Sequence, residues 1–225
     1  LLTKNMRKIS YIITLLCAAV AISSCDLTEK MQVDADKAMI FGSASGLETY
    51  SYSLYDALPG VTSAYYKESG LADYVSYRMP DDFIVDGAYT AETKTSWSWT
   101  TLRNVNYFLD GLKSVECTVD DKTKAHYEGL ARWFRAYFYY DKLKTYGAVP
   151  WYDHALQNYE ADLMYKDCDS RDVIIENIIA DLNFAYENIE TTSSVGASLI
   201  SKYAAAALKS RACLFEASFR KYHGL

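Results

Sequence analysis

The chain has 225 residues, of which 50% are hydrophobic and 23% are charged, and this composition excludes an intrinsically disordered chain. About 200 residues remain after the leader described below, which is enough for one domain with a substantial core. The net charge of -6 is spread along the chain, and no cluster of lysine and arginine favours nucleic acid as a partner.

Residues 1–24 are predicted to be a secretory signal peptide. Basic residues precede an apolar run over residues 9–22, and small residues follow it. The run is shorter than the ~20 residues needed to cross a bilayer, so we interpret it as an export signal and not as a permanent transmembrane helix. Met6 is the expected initiator, which makes residues 1–5 an over-extended gene start.

The run Ile22-Ser23-Ser24-Cys25 resembles a bacterial lipobox, in which the cysteine thiol receives a diacylglycerol. Cys25 is therefore the predicted lipidation site and the first residue of the mature protein. Two acyl chains give stable membrane anchoring where one gives only marginal binding. The polar residues within 25–35 suit a flexible tether between lipid and domain. An ordinary signal peptide cleaved elsewhere is the alternative.

The next part of the chain predicts two helices with a long loop between them. Residues 36–58 predict a weaker helix with these inward residues: Phe41, Leu47, Tyr50, Leu54 and Tyr55. Residues 97–112 predict a second helix. The loop over residues 59–96 contains scattered glycines and aromatic residues. A loop of this length is usually functional or contains a short hairpin.

Residues 120–146 predict a long helix that begins at Asp120 or Asp121 and ends before Gly147 and Pro150. Its buried face is predicted from the spacing of Leu130, Phe134, Tyr137 and Phe138. The polar side is predicted to carry Lys124, Glu128, Arg132 and Arg135. We expect structural roles for Arg132 and Arg135, which would pair with Glu128 or with a neighbouring helix.

The last two predicted helices span residues 170–190 and 198–222, with Ser170 as the N-cap of the first. The inward residues of the first are predicted to be Ile174, Ile178, Leu182, Ala185 and Ile189. Those of the second are predicted to be Ala212, Phe215 and Phe219. The linker over residues 191–197 is short, so the two helices should lie antiparallel. The fold class is therefore mainly α, with tetratricopeptide-like helical hairpins and one long aromatic loop region.

No motif indicates catalysis, a metal or a cofactor. His126, His154 and His223 have no carboxylate or second histidine at a ligand spacing, and Cys117, Cys168 and Cys213 form no metal knuckle or redox pair. The adjacent Asp81 and Asp82 fit a solvated turn better than a glycosidase pair, whose carboxyls lie ~5–10 Å apart on a rigid frame.

Four segments in order resemble the SusD/RagB family of surface lipoproteins. They are LRNVNYFLDGL at 102–112, EGLARWFRAYFYYDKLKTYGAVPW at 128–151, SRDVIIENIIADLNFA at 170–185 and ISKYAAAALKSRACLFEA at 200–217. The resemblance implies a non-enzymatic helical scaffold that binds nutrients, usually glycans, at the cell surface. It also implies a lipid-anchored protein of the outer membrane that pairs with a SusC-like, TonB-dependent barrel. Residues 36–225 then correspond to an N-terminal SusD-like domain that is incomplete at its C-terminus, with an uncovered apolar face on its last helix.

A sugar ring has an apolar face that an aromatic side chain can cover and a polar rim that amides, carboxylates and arginine can bind. The chain contains 21 Tyr and 4 Trp, and residues 59–99 are rich in these types. The resemblance places part of the ligand site before the helix at 102–112. The candidate binding residues are Tyr74, Tyr77, Arg78, Asp81, Tyr89, Trp97 and Trp99, with Tyr65, Tyr66 and Asp82 in the same neighbourhood.

Trp97 and Trp99 lie two positions apart, so on a helix or strand their rings would point in different directions and at most one would face a ligand. Two other functional classes stay open. A helical groove that binds peptides or another protein is the second hypothesis, and an anchored hydrolase is a distant third. Flat aromatic platforms would favour sugars, whereas an apolar or charged groove would favour a peptide.

Overall fold

The computed structural model describes residues 37–60, 78, 85–88, 90, 97–190 and 199–224. Their helices are α1 (Lys37–Phe41), α2 (Ala44–Ser51), a 3-10 helix (Tyr52–Ala57), α3 (Thr100–Leu112), α4 (Asp121–Tyr146), α5 (Ala161–Met164), α6 (Arg171–Asn188) and α7 (Lys202–His223). The predicted mainly α fold is confirmed: between these bounds the only β pairing is an isolated bridge of Val149 with Asp169. The predicted leader, Cys25 and the tether lie outside the described residues.

The predicted helix over residues 36–58 is wrong in its continuity, because it is divided into α1, α2 and the 3-10 helix. Gly42 has no room for a side chain, since a Cβ atom there would lie 2.4 Å from the carbonyl oxygen of Ala38. Ser43 then caps α2 by accepting a hydrogen bond from the backbone N–H of Gly46 at 3.1 Å. The predicted inward residues are nevertheless placed as expected: Phe41, Leu47 and Leu54 are buried, and Tyr50 and Tyr55 are half-buried against the core.

Helix α4 is the central helix and packs against both α3 and α6. Asp120 caps it by accepting hydrogen bonds from the backbone N–H groups of Lys122 and Thr123, and Gly147 follows its end with a φ of 80°. The predicted apolar face is confirmed, because Leu130, Phe134 and Phe138 are buried and Tyr137 is half-buried.

Arg135 was expected on the polar side of α4, and the structure corrects this. Its side chain is buried because α6 covers that side of the helix, and its guanidinium donates two hydrogen bonds of 2.7 Å to the carboxylate of Asp181. Arg132 donates two hydrogen bonds to Oε1 of Glu128. The structural pairing expected for both arginines is therefore confirmed.

Helices α4, α6 and α7 are successively antiparallel. Lys122 at the start of α4 forms a 2.5 Å ion pair with Glu190, just past the end of α6. Arg171 at the start of α6 forms a 2.8 Å ion pair with Glu216 near the end of α7. For α6 and α7, this is the antiparallel arrangement that the short linker predicts.

The inward faces of α6 and α7 are mostly as predicted. Ile174, Ile178, Leu182, Ala185 and Ile189 are all buried. In α7, Ala212 is buried, whereas Phe215 and Phe219 are half-buried. The outer face of α7 carries exposed Tyr203 and Leu214. No helix in the described part of the chain is long and apolar enough to cross a membrane.

Candidate functional site

A pocket of about 480 Å³ lies between the start of α3 and the irregular segment that follows α4. We call it the aromatic pocket. Its wall combines three rings with several polar groups: Trp97, Trp99, Tyr152, Thr100, Arg103, Asn106, His154 and Lys166. A volume of this size is within the range of small-ligand sites.

Trp97 and Trp99 both line the aromatic pocket. Their rings contact each other edge to face, with centroids 5.1 Å apart and an interplanar angle of 76°. The expectation that they point in different directions holds for a helix or a strand, and it does not apply here because the backbone at residues 97–99 is neither. Trp97 remains 47% exposed, so its ring is accessible from solvent.

A buried lysine lies close to the rings of the two tryptophans. Lys142 is 5% exposed, and its Nζ lies 6.0 and 5.7 Å from the ring centroids of Trp97 and Trp99. The rings of Phe138 and Tyr146 lie at 5.3 and 5.4 Å from the same atom. Burial lowers the pKa of Lys142. The attraction of a cation to aromatic faces therefore helps to hold this part of the wall together.

Two side chains of α3 hold the opposite wall through its backbone. Asn106 is 1% exposed, and its Nδ2 donates hydrogen bonds of 3.0 Å to the carbonyl oxygens of Tyr152 and His154. Asp110, one turn later, accepts a 2.8 Å hydrogen bond from the backbone N–H of Ala155. Residues four apart lie on one face of a helix, so the spacing of these two polar residues was the signal that sequence reasoning missed.

The same wall is also tied to α4. The hydroxyl oxygen of Tyr139 accepts a 2.6 Å hydrogen bond from the backbone N–H of Tyr152, and the Tyr139 ring stacks on Trp151 with centroids 4.2 Å apart. Burial raises the pKa of Tyr139, so its hydroxyl stays neutral. Arg135 donates to the carbonyl oxygen of Asp153 at 3.2 Å. The irregular segment is thus fixed to two helices.

Three basic side chains line the aromatic pocket, and two of them have carboxylate partners. Lys166 donates to Oδ2 of Asp169 at 2.6 Å and to the carbonyl oxygen of Trp151 at 2.9 Å. Burial alone would raise the pKa of Asp169, but hydrogen bonds from Lys166 and from the backbone N–H of Trp151 outweigh it and lower that pKa. Lys166 therefore forms a local ion pair.

His154 lies between two carboxylates, although the sequence predicts none at a metal-ligand spacing from it. Its Nδ1 is 2.9 Å from Oδ1 of Asp153, and its Nε2 is 3.0 Å from Oε1 of Glu160. The contact with Asp153, followed by that with Glu160, raises the pKa of His154 against the effect of burial. The part of the chain that the structure describes contains no group of side chains suited to hold a metal ion.

Arg103 is the third basic side chain. It is exposed, and its Nη1 donates a 2.9 Å hydrogen bond to the carbonyl oxygen of Leu156. Within the described ranges it forms no ion pair with a carboxylate.

Of the predicted binding residues, the structure brings Trp97 and Trp99 together in the aromatic pocket. Arg78 is exposed. Tyr74, Tyr77, Asp81 and Tyr89 lie outside the described residues, and their roles stay predictions. Sequence reasoning missed Arg103, Asn106, Tyr152, His154 and Lys166 as pocket residues.

No protein-family model matches the chain, and no curated protein matches it. Solved structures do match. A SusD-like protein from Bacteroides fragilis is 23% identical with a TM-score of 0.56, over 81% of this chain and 36% of that chain. A SusD-like carbohydrate-binding protein from Bacteroides fragilis is 21% identical with a TM-score of 0.60, over 81% of this chain and 39% of that chain.

The chain has a SusD-like fold. It spans less than two thirds of the length of these solved relatives. Within this SusD-like fold, two of the four segments that carry the resemblance also contribute to the site. Residues 102–112 lie in α3, which supplies Arg103 and Asn106, and residues 128–151 contain most of α4, which supplies Lys142.

Proposed function

We propose that this protein is a non-catalytic, lipid-anchored receptor of the bacterial outer membrane that binds oligosaccharides in the aromatic pocket. The observation that carries the proposal is the pairing of two indole rings with hydrogen-bonding side chains in one pocket of a SusD-like fold. An indole ring can cover the C–H face of a sugar, while Thr100, Arg103 and His154 can bind its hydroxyl rim. One solved relative is itself named a carbohydrate-binding protein.

The lining of the aromatic pocket supports binding without cleavage. Glycoside hydrolysis requires two carboxyl groups that flank the scissile bond. No aspartate or glutamate is among the pocket's lining residues in the described part of the chain. The bound sugar therefore meets rings and cations there, and we expect its bonds to stay intact.

The anchor and the partner extend the same proposal. Cys25 would receive the lipid and residues 25–35 would form the tether, so the domain would stay at the outer membrane. A SusC-like, TonB-dependent barrel is the proposed recipient of the captured glycan.

The binding proposal can be tested with the full chain on a glycan array that also carries peptide pools, followed by calorimetry. Trp97→Ala should weaken sugar binding by about 1–2 kcal/mol, roughly five- to thirty-fold. Tyr203→Ala is the matched control, because that ring is 62% exposed on α7, outside the pocket. Binding of peptides and of no sugar would replace the glycan proposal with the peptide-groove hypothesis.

Alkylation of cysteines can locate the bound sugar. Cys168 is exposed and lines the aromatic pocket, whereas Cys213 lies on α7 and can serve as the internal reference. A sugar that binds in the pocket should slow alkylation of Cys168 and leave that of Cys213 unchanged. Equal rates with and without sugar would place binding elsewhere.

The anchor can be tested by labelling cells with radioactive palmitate in the presence and absence of globomycin. Cys25→Ala should abolish the label, and Cys17→Ala within the apolar run should retain it. Label that persists in Cys25→Ala would refute the lipidation site. Purification from detergent-solubilised membranes should recover a TonB-dependent barrel, and its repeated absence would refute the partnership.

A further inference from the structure

The aromatic pocket has an uneven charge distribution. Arg103, His154 and Lys166 line it, and no carboxylate of the described residues does. We propose that the pocket selects acidic sugars, such as uronic acids or sulfated sugars, and that the anionic group binds to Arg103. This inference rests on the proposed function, since it names the class of glycan that the same site accepts.

Arg103 is favoured over the other two basic side chains because it has no carboxylate partner among the described residues. Lys166 donates to Asp169 at 2.6 Å, and His154 lies between Asp153 and Glu160. Arg103 has one hydrogen bond, to the carbonyl oxygen of Leu156, and no ion pair with any carboxylate that the structure describes. A guanidinium has five N–H donors, so most of them remain for a ligand.

The geometry of a guanidinium fits the anions of acidic sugars. Its planar fork donates two parallel hydrogen bonds to a carboxylate or a sulfate, which gives both strength and orientation. The apolar rings of Trp97 and Trp99 in the same pocket exclude water from part of a bound sugar, and charge interactions weaken less where water is excluded. A sugar could thus stack on an indole while its acidic group pairs with Arg103.

The neighbouring cavity does not share this charge pattern. It measures about 440 Å³, has Thr100 and Arg103 in common with the aromatic pocket, and includes Asp56 in its wall. No ion pair between Arg103 and Asp56 occurs among the described contacts. The carboxylate of Asp56 would repel an anion on that side, so the acidic group should enter the aromatic pocket.

The test compares sugars that differ only in charge. Calorimetry on the full chain would use trigalacturonate against its methyl ester, and chondroitin sulfate oligosaccharides against desulfated ones, with maltotriose and galactotriose as neutral sugars. At least one acidic member should bind about ten-fold more tightly than its neutral partner, as a charge-assisted pair provides. The preference should shrink as NaCl rises from about 50 to about 300 mM.

Arg103→Gln should remove this preference, because it keeps an amide donor for the hydroxyl rim but loses the charge. Arg103→Lys should retain part of the preference, and this result would separate charge from any structural role. Lys144→Gln is the control, since Lys144 is an exposed cation on α4, outside the pocket.

The two proposals fail in different ways. If neutral sugars bind through Trp97 and no acidic member binds more tightly, or if Arg103→Gln leaves the preference unchanged, the acidic-sugar inference is wrong and the glycan-binding proposal stands. If no sugar of either kind binds, both are wrong.

Discussion

The buried ion pair between Arg135 and Asp181 gives a sharp test of what holds the helical frame together. Both side chains are nearly inaccessible, at 7% and 2% exposure, and two hydrogen bonds of 2.7 Å join them. Burial alone would lower the pKa of Arg135, but the hydrogen bonds and charge of Asp181 outweigh it and raise that pKa. The guanidinium therefore stays charged inside the core, and Asp181→Leu would leave it there without a full partner.

The magnitude follows from the cost of an unpaired buried charge. Removing one member of a buried ion pair costs about 3–5 kcal/mol, whereas replacing both members by apolar residues is often neutral. Arg132 also lies 3.6 Å from Asp181, but it is itself a cation and so cannot neutralise the charge of Arg135. Asp181→Leu should therefore lower the free energy of unfolding by about 3–5 kcal/mol, and the double variant Arg135→Met, Asp181→Leu should recover at least half of that loss.

Urea unfolding of the full chain, followed by far-ultraviolet circular dichroism, measures both effects. Asp141→Ala is the control. Asp141 pairs with Lys144 on the exposed side of α4, so this substitution should cost less than ~1 kcal/mol of stability. A loss below ~1 kcal/mol for Asp181→Leu, or a double variant less stable than the single one, would refute the reasoning.

Three further predictions concern single residues. Gly111→Ala would place a Cβ atom 1.9 Å from Cζ of the fully buried Phe41. The cost of overpacking, about 1–3 kcal/mol, should exceed the ~1 kcal/mol gain in helix propensity, so the variant should be less stable. A higher urea midpoint for the variant would contradict this prediction. Nδ1 of His126 accepts a hydrogen bond from the backbone N–H of Glu190, and burial lowers the pKa of His126 below its usual 6.5. Because the unfolded chain then binds the proton more readily, stability should be full above about pH 6.5 and should fall as pH drops below that value. His126→Gln should flatten this fall in melting temperature, and equal slopes would count against the prediction. Lys142→Met removes a charge that lies 6.0 and 5.7 Å from the two indoles of the aromatic pocket, so tryptophan emission should shift, and an unchanged spectrum would exclude the contact.

Local signals in the sequence predicted the helix ends well. Asp120, Ser170 and Gly147 each have the chemistry of a helix end, and the helices begin or end at the residues next to them. The break at Gly42 and Ser43 was missed because the apolar spacing continues across it from Phe41 to Leu47. The burial of Arg135 was missed for a different reason: its partner Asp181 is 46 residues away, and periodicity within one helix does not reveal a second neighbour.

The candidate site was predicted only where residue type was sufficient. Trp97 and Trp99 were found because aromatic rings before α3 are suited to sugars. Asn106 and His154 were missed because their roles depend on contact between α3 and a segment that follows in the chain, with the two partners 48 positions apart. Such a contact comes from tertiary packing. The four-residue spacing of Asn106 and Asp110 indicates a polar face on α3, but it does not identify the segment that this face binds.

Helix α3 attaches the pocket's irregular wall by binding peptide groups and not side chains. Asn106 and Asp110 bind two carbonyl oxygens and one N–H of residues 152–155. Substitutions in that wall can therefore alter the shape and chemistry presented to a ligand while the attachment persists. Such an architecture allows recognition to diversify among descendants at little cost to folding.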